Sequence, residues 1–597
     1  MKGFILLISS IFVLSITAIG GTPAEKIDYL ISSKASTENV ALKNLVSDAT
    51  FVRRAYLDVV GRIPTHKEQE DFGSMGATKR ADLIVKLLQS EGHVQYLYHF
   101  WADLLRIRDG RLSDNANLRG ITYLEWMKEQ IRINTPYDEF VRGLLTAEGE
   151  IWTNPAVGYY LRDSGMHLDN FSNTAQVFMG IDLSCAQCHD DPFQDWTQLD
   201  FYQMAAFTIS NDNKLAMNKE ESAIYNEFNK VVRGLQDEAA KAQREGTKTT
   251  LNRGRLNQMR NFANVSFRYY IQADETNKLT LPHDYQYDDA EPKSVVEPKL
   301  TFGPEVEVVE SDPRKTFAQW MTNTTHPSFT RNIVNRMWEH LMGTPLVDNM
   351  DNMYSDNEGK NVELLNYLES LMIEVNYDLK RFQYNILTTK AYQRIAHEDD
   401  SGIAYVGQAP QARRLTSTQL WDSYLVLRLG DVDTFTAPDW RSYKVASLTS
   451  DQLTVDSVGQ SMDAVALVDS SYYSGVQKHK SLMLIRSSFI NGDGKTRANQ
   501  NLLSQLGFSD RKLVNDSSGD GSVAQVLLLA NGPILDLVLD KESHFLKGIG
   551  RDDKTDYIWL SFLQRRPTMF EKSMAKRLPN EDLVWAILNS QEFRFTP

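Results

Sequence analysis

The sequence predicts a mainly α fold, two helical domains joined by a proline-rich, partly extended connector. Three observations lead to this. Apolar residues recur three and four apart through most of the chain, helix caps punctuate those stretches, and strand signals are scarce. Between the two helical stretches, Pro282, Pro292, Pro298, Pro304 and Pro313 stand among polar residues. With 597 residues, 42 % of them hydrophobic and ten tryptophans, the chain can bury a sizeable core.

The chain opens with Met1-Lys2, an apolar run over 4–16, and Ala18-Ile19-Gly20-Gly21. A positive start, an apolar stretch and small residues at a cleavage point make residues 1–20 a signal peptide. Uncleaved, it would be a membrane anchor, and no later segment has the length of about eighteen apolar residues that spanning needs. The protein is therefore expected outside the cytoplasm, in the periplasm, on the cell surface or secreted.

Residues 24–210 read as helix after helix. Phe51, Ala55 and Val59 share one helical face, and Gly61-Arg62-Ile63-Pro64 ends that helix. Thr65 with Glu68 is a capping box that starts the next. Ser90 caps a third, whose apolar face holds Tyr96, Leu97, Phe100, Trp101, Leu104 and Leu105. Thr135-Pro136 supplies a cap and a first-turn proline, making a helical hairpin of 123–133 and 138–145. Residues 173–183 read as a helix leading into the loop that follows. Over 211–311 the composition turns charged, an amphipathic helical excursion with Val231, Val232 and Leu235 as its sparse apolar side, and then passes into the proline-rich connector. In residues 312–597 helices resume. Phe329, Ile333, Met337 and Leu341 recur four apart before Gly343, and Asn332, Asn335, Arg336 and Glu339 form a polar stripe that reads as an exposed face, or as a surface for a ligand or for the first domain.

The only two cysteines stand in one motif, Cys185-Ala186-Gln187-Cys188-His189. Its spacing is that of a c-type haem attachment site, in which Cys185 and Cys188 form thioethers to one covalent haem c and His189 supplies the proximal nitrogen to the iron. Three other uses stay open: a redox-active pair, a structural zinc site, and a local disulfide. Phe193, Trp196, Phe201, Tyr202 and Phe207 are aromatic candidates to wall a porphyrin, each read singly as core. Asp182, Asp190, Asp191, Asp195 and Asp200 crowd the same stretch and would hold a haem potential low. Met204, Met166, His167 and Met179 are candidates for a sixth ligand. The net charge of −14 argues against nucleic acid as a partner. No Gly-rich phosphate loop, His-Glu-x-x-His or nucleophile elbow occurs, so no catalytic residue can be named.

Phe51-Val52-Arg53-Arg54-Ala55-Tyr56-Leu57-Asp58, the cysteine motif and Trp196-Thr197-Gln198 resemble the amino-terminal domain of the secreted Planctomycete cytochrome C family. Asn335-Arg336-Met337-Trp338, Tyr377-Asp378-Leu379-Lys380, Arg413-Arg414-Leu415-Thr416, Arg565-Arg566-Pro567-Thr568 and Leu588-Asn589-Ser590-Gln591-Glu592-Phe593 resemble its carboxy-terminal partner domain. The likeness covers nearly the whole mature chain, and it implies one haem and two paired domains of unknown function. Where the family often has a second histidine, this chain has Asp191. The expected function is that of an extracytoplasmic single-haem redox or electron-transfer protein with a redox partner protein. The alternative is a surface protein that binds or breaks down polysaccharide, with the cysteines structural and Trp196 a sugar contact. A scaffold without chemistry is the third reading.

Overall fold

The computed structural model describes residues 21–108, 112, 120–209, 211–212, 219–268, 270–273, 277–309, 311–353, 359–398, 402–434, 437, 439–476, 486–489, 503–514, 522–549 and 554–597. The expected signal peptide, residues 1–20, lies outside them. The protein is mainly α-helical with two helical regions, as the sequence predicts. Among the described residues no helix is long and apolar enough to cross a membrane.

The first region consists of α1 (Pro23–Thr37), α2 (Asp48–Val60), α3 (His66–Ser74), α4 (Lys79–Leu88), α5 (Glu91–Leu104), α6 (Ile121–Ile133), α7 (Tyr137–Leu145), α8 (Gly158–Leu161), α9 (His167–Thr174) and α10 (Gln198–Ile209). Local chemistry sets these limits. The Thr65–Glu68 capping box starts α3, and the Ser90 side chain accepts from the His93 amide to start α5. Gly61 ends α2 at φ 72°, where a Cβ would also run into the Tyr96 ring. The α6–α7 hairpin forms with Pro136 as the cap and Tyr137 as the first helical residue, one position later than the sequence suggests.

The helix expected over 173–183 ends early. α9 runs into a π turn, Ala175–Met179, and Gly180 closes it at φ 64°. A Cβ on Gly180 would collide with Met353, the Met350 carbonyl and Asn332, all of the second region. Ile181 then bridges Asn352. The second region thus runs directly against the chain where further helix was expected, and it separates the cysteine motif from α9.

The charged excursion is a hairpin of α11 (Lys219–Arg244) and α12 (Arg253–Arg268). Phe228, Val232, Leu256 and Met259 pack with Leu448, Leu453 and Val458 of the second region in a small core, while Val231, expected on the apolar side, is exposed. A three-stranded antiparallel sheet adds the only named strands among the described residues: β1 (Gly149–Glu150), β2 (Asn211–Asp212) and β3 (Tyr270–Ala273), in the order β1-β3-β2, with Gly149 opposite Ile271 and Asn211 opposite Ala273.

The second region holds α13 (Pro313–Met321), α14 (Phe329–Met342), α15 (Val362–Glu374), α16 (Leu379–Leu387), α17 (Ser417–Leu429), α18 (Val455–Val476), α19 (Val523–Asn531), α20 (Ile534–Val538), α21 (His544–Gly548), α22 (Lys554–Leu563), α23 (Met569–Ala575), α24 (Asn580–Leu588) and α25 (Gln591–Arg594). Its core is continuous with that of the first region. One apolar cluster runs from Phe51 and Tyr137 through Trp320 and Trp338 to Phe562 and Phe593.

Polar groups cross the same boundary. All of α2 from Phe51 to Val60 is buried, including two arginines. Arg53 donates to the carbonyls of Phe562 (2.9 Å) and Phe593 (2.8 Å), and Arg54 to those of Tyr392 (2.5 Å), Arg394 (2.8 Å) and Pro597 (2.7 Å). Asp58 accepts from Arg413 and from the Tyr392 hydroxyl, each at 2.9 Å. Burial pushes the Asp58 carboxyl up and Arg413 beside it pulls it back.

The polar stripe of α14 is not an exposed face. Asn332, Asn335 and Arg336 are buried. The Asn332 amide donates to the Val177 carbonyl (2.7 Å) and Arg336 to the Gln176 carbonyl (3.2 Å), which satisfies the π turn of the first region. Asn335 holds the backbone of Leu346 and Val347 instead.

Two predictions follow from this packing. Arg54→Met takes donors from the buried Tyr392 carbonyl and from the half-buried main-chain oxygens of Arg394 and Pro597; a buried orphan costs about 1–3 kcal/mol, so urea unfolding should show a loss of roughly that size, and wild-type stability would contradict the role of these bonds. His326 Nδ1 accepts from the amides of Ser328 (3.3 Å) and Phe329 (3.2 Å) at the start of α14, and burial pushes its pKa down from 6.5 to about 3. The unfolded chain therefore binds the extra proton, and stability falls as the pH drops from 6.5 towards 3. His326→Asn, which keeps an acceptor but cannot titrate, should lessen the slope of that part of the stability–pH curve, to which buried His93 and His340 also contribute.

Candidate functional site

Residues 183–189 form one helical turn. The amides of Gln187 and His189 reach the carbonyls of Leu183 (3.3 Å) and Cys185 (3.1 Å), and that of Cys188 also reaches Cys185 (3.1 Å). Leu183 and Ala186 are buried and anchor the turn, while Cys185 is half-buried and Cys188 and His189 are exposed. Spacings of three and four put Cys185, Cys188 and His189 on one face. Both thiols are free, with no disulfide between them.

The imidazole has a defined orientation. His189 Nδ1 lies 2.7 Å from the Asp190 carbonyl. A carbonyl only accepts, so Nδ1 carries the hydrogen, and in the neutral ring Nε2 keeps its lone pair. Two accessible thiols on one turn, next to an imidazole with a free ring nitrogen, form a donor set that fits a c-type haem. The other uses of the cysteines fare differently. Among the described residues no group of three His, Cys, Asp or Glu side chains is placed to hold a metal ion. The turn follows an isolated bridge and opens into a loop, which is not the strand-to-helix setting of a thioredoxin-like pair.

The acidic residues that follow are parts of the loop. Asp182 caps the Ser184 amide (2.9 Å), Asp191 accepts from the amides of Phe193 (2.8 Å) and Gln194 (3.1 Å), and Asp200 accepts from the Thr197 hydroxyl (2.7 Å) ahead of α10. Asp191 therefore holds a turn. Asp190 is tied at three points. Its amide donates to the Tyr287 hydroxyl (2.8 Å), its carbonyl faces His189, and its carboxylate accepts from the Gln198 amide (2.8 Å).

The aromatic residues do not wall an open pocket. Trp196, Phe201, Tyr202 and Phe207 are buried in the main core, and Trp196 meets Phe302 edge to face at 5.2 Å. Trp196 is thereby unavailable as a sugar contact. Only Phe193 stands out, 89 % exposed beside the motif. Of the sixth-ligand candidates, Met179 and Met204 are fully buried, and the Met204 sulfur accepts from the Thr301 hydroxyl (3.3 Å). Met166 is exposed, and His167 begins α9. Neither the apolar cavity lined by Trp101, Met127, Tyr137 and Lys380 nor the cleft of about 450 Å³ between α10 and the connector includes a motif residue.

Sequence reasoning missed Tyr287, because the connector around it looked like a spacer. The connector folds as a hairpin, in which Leu281 bonds to Ser294 (3.0 Å) and Val296 to Leu279 (2.9 Å), and Thr280 bridges Val295. A pair of tyrosines two apart, Tyr285 and Tyr287, among polar residues was the available signal.

Two family models match this chain. PSCyt2, described as a protein of unknown function (DUF1549), matches residues 26–212, and PSD1, described as a protein of unknown function (DUF1553), matches residues 313–578. No curated protein and no solved structure matches it.

The geometry of the turn sets an order of reactivity. In protein made without haem, maleimide should label Cys188 faster than Cys185, as followed by mass spectrometry at early times; the reverse order would contradict their exposures.

Proposed function

The chain belongs to the family that pairs these two domains of unknown function, and we propose that it is an extracytoplasmic electron-transfer protein carrying one covalent haem c. One observation carries the reading: Cys185, Cys188 and His189 share the outer face of one turn, with both thiols free and the imidazole held through Nδ1. Bound there, the haem would supply reversible one-electron oxidation and reduction.

Cys185 and Cys188 would hold the group covalently, each sulfur bonding to a vinyl carbon while the thiol hydrogen passes to the neighbouring carbon. His189 would give Nε2 to the iron, with the Asp190 carbonyl fixing its ring. Exposure of Cys188 and His189 suits electron exchange with a protein partner at the surface. Asp182, Asp190, Asp191 and Asp195 bring negative charge to the same loop and favour the oxidised iron. Export through the residues 1–20 leader fits thioether attachment, which in c-type proteins is completed outside the cytoplasm.

Expression in a host with haem-attachment machinery, followed by acid–acetone extraction, tests the proposal. Soret absorption should stay with the protein, Cys188→Ser should leave a single thioether, and the midpoint potential should lie below that of the hydrogen electrode. A colourless wild-type protein with a free or disulfide-bonded Cys185–Cys188 pair would refute it.

A further inference from the structure

We infer that Tyr287 is a positioning residue for the axial histidine, acting through the Asp190 peptide, an inference that rests on the haem reading above. The contact runs in two short steps. The Tyr287 hydroxyl accepts the Asp190 amide at 2.8 Å, and the carbonyl of that same residue faces His189 Nδ1 at 2.7 Å. The Gln198 amide bonds the Asp190 carboxylate at 2.8 Å. Asp190 is thereby fixed by the connector on one side and α10 on the other, and His189 takes its orientation from a residue that cannot easily turn.

Tyr287 is itself held. Its ring meets Tyr285 edge to face at 5.5 Å and packs partly buried against the main core. Tyr285 is buried, and its hydroxyl donates to Asp289 at 2.5 Å. The hydrogen bonds at residues 279–281 and 294–296 close the hairpin that carries both tyrosines. A ligand histidine needs such support from its neighbours. The bond at Nδ1 selects the tautomer with its lone pair on Nε2, sets the ring plane and makes Nε2 the stronger donor. Without the Tyr287 hydroxyl, the Asp190 amide loses its acceptor, the residue can rotate, and the carbonyl can leave the imidazole. The chain would then hold the same histidine with less control over which nitrogen it presents.

Tyr287→Phe in the full chain keeps the ring and deletes only the hydroxyl, so the variant should fold, with thermal unfolding lowered by no more than about a few degrees. Two readouts test the role. In protein made without haem, at a pH above the imidazole range, ¹⁵N spectra should find His189 mainly protonated at Nδ1, and Tyr287→Phe should shift it towards the Nε2-protonated form that free histidine prefers in water. In the haem-loaded protein the same variant should raise the midpoint potential and weaken the histidine–iron signature, while covalent haem content stays at the wild-type level. A wild-type chain that attaches no haem overturns the haem reading and the ligand role together. Wild-type haem content with an unchanged tautomer and an unchanged potential in Tyr287→Phe overturns the role of Tyr287 alone.

Discussion

The structure depends on the burial of α2 with two arginines on it. A guanidinium taken out of water costs several kcal/mol unless its donors are met, and most donors of Arg53 and Arg54 are met by main-chain oxygens of Tyr392, Arg394, Phe562, Glu592, Phe593 and Pro597 and by the Gln564 side chain, with Arg53 Nε and Arg54 Nη2 left without a partner among the described residues. Those carbonyls are in place only when the second region has folded around the helix. Asp58 follows the same logic, since its counter-charge and hydroxyl partner are Arg413 and Tyr392. The boundary between the two matched family domains is therefore not a boundary between two folding units. The stretch 51–58 that carries the family resemblance has a structural role, and the first region without the second would bury charges with no partners.

The same dependence reaches the cysteine turn. Gly180, four residues before Ser184, sits against Met350, Met353 and Asn332, and the Asp182 amide bonds to the Asp351 carbonyl at 2.9 Å. Asn332 and Arg336 hold the π turn just upstream, and the connector holds Asp190 just downstream. A surface turn of seven residues would otherwise be among the easier parts of a protein to open locally. The second region fixes it upstream and the connector fixes it downstream.

Elements whose limits are set by local chemistry were legible in the sequence. Thr65 with Glu68, Ser90, Gly61 and Gly343 mark helix ends through bonds and backbone angles that involve only nearby residues. The stripe on α14 was not legible in the same way, because asparagine and arginine that face another backbone have the same spacing as those that face water. The early end of the helix before the motif was hidden for a related reason: its cause is Met353 and Asn332, more than a hundred residues away in the chain. For the site, the spacing of Cys185, Cys188 and His189 disclosed the donor set. It disclosed nothing of the surface around it: Phe201, Tyr202 and Phe207 went into the core because α10 turns them inward, while Phe193, the nearest in sequence, stays exposed.

What distinguishes the uses of the two thiols is the effort spent on the neighbouring histidine. Cysteines three apart on one turn are close enough for a disulfide, but the loop so closed is short and removes little entropy from the unfolded chain. A disulfide would also gain nothing from an imidazole with a fixed tautomer. Here the Asp190 carbonyl orients that imidazole, and Asp190 is itself held by Tyr287 and Gln198 from separate parts of the chain. Such support suits a ring nitrogen that must be presented in one direction, as an axial ligand must. The arrangement around His189, more than the cysteine spacing itself, is what weighs for a haem at this turn.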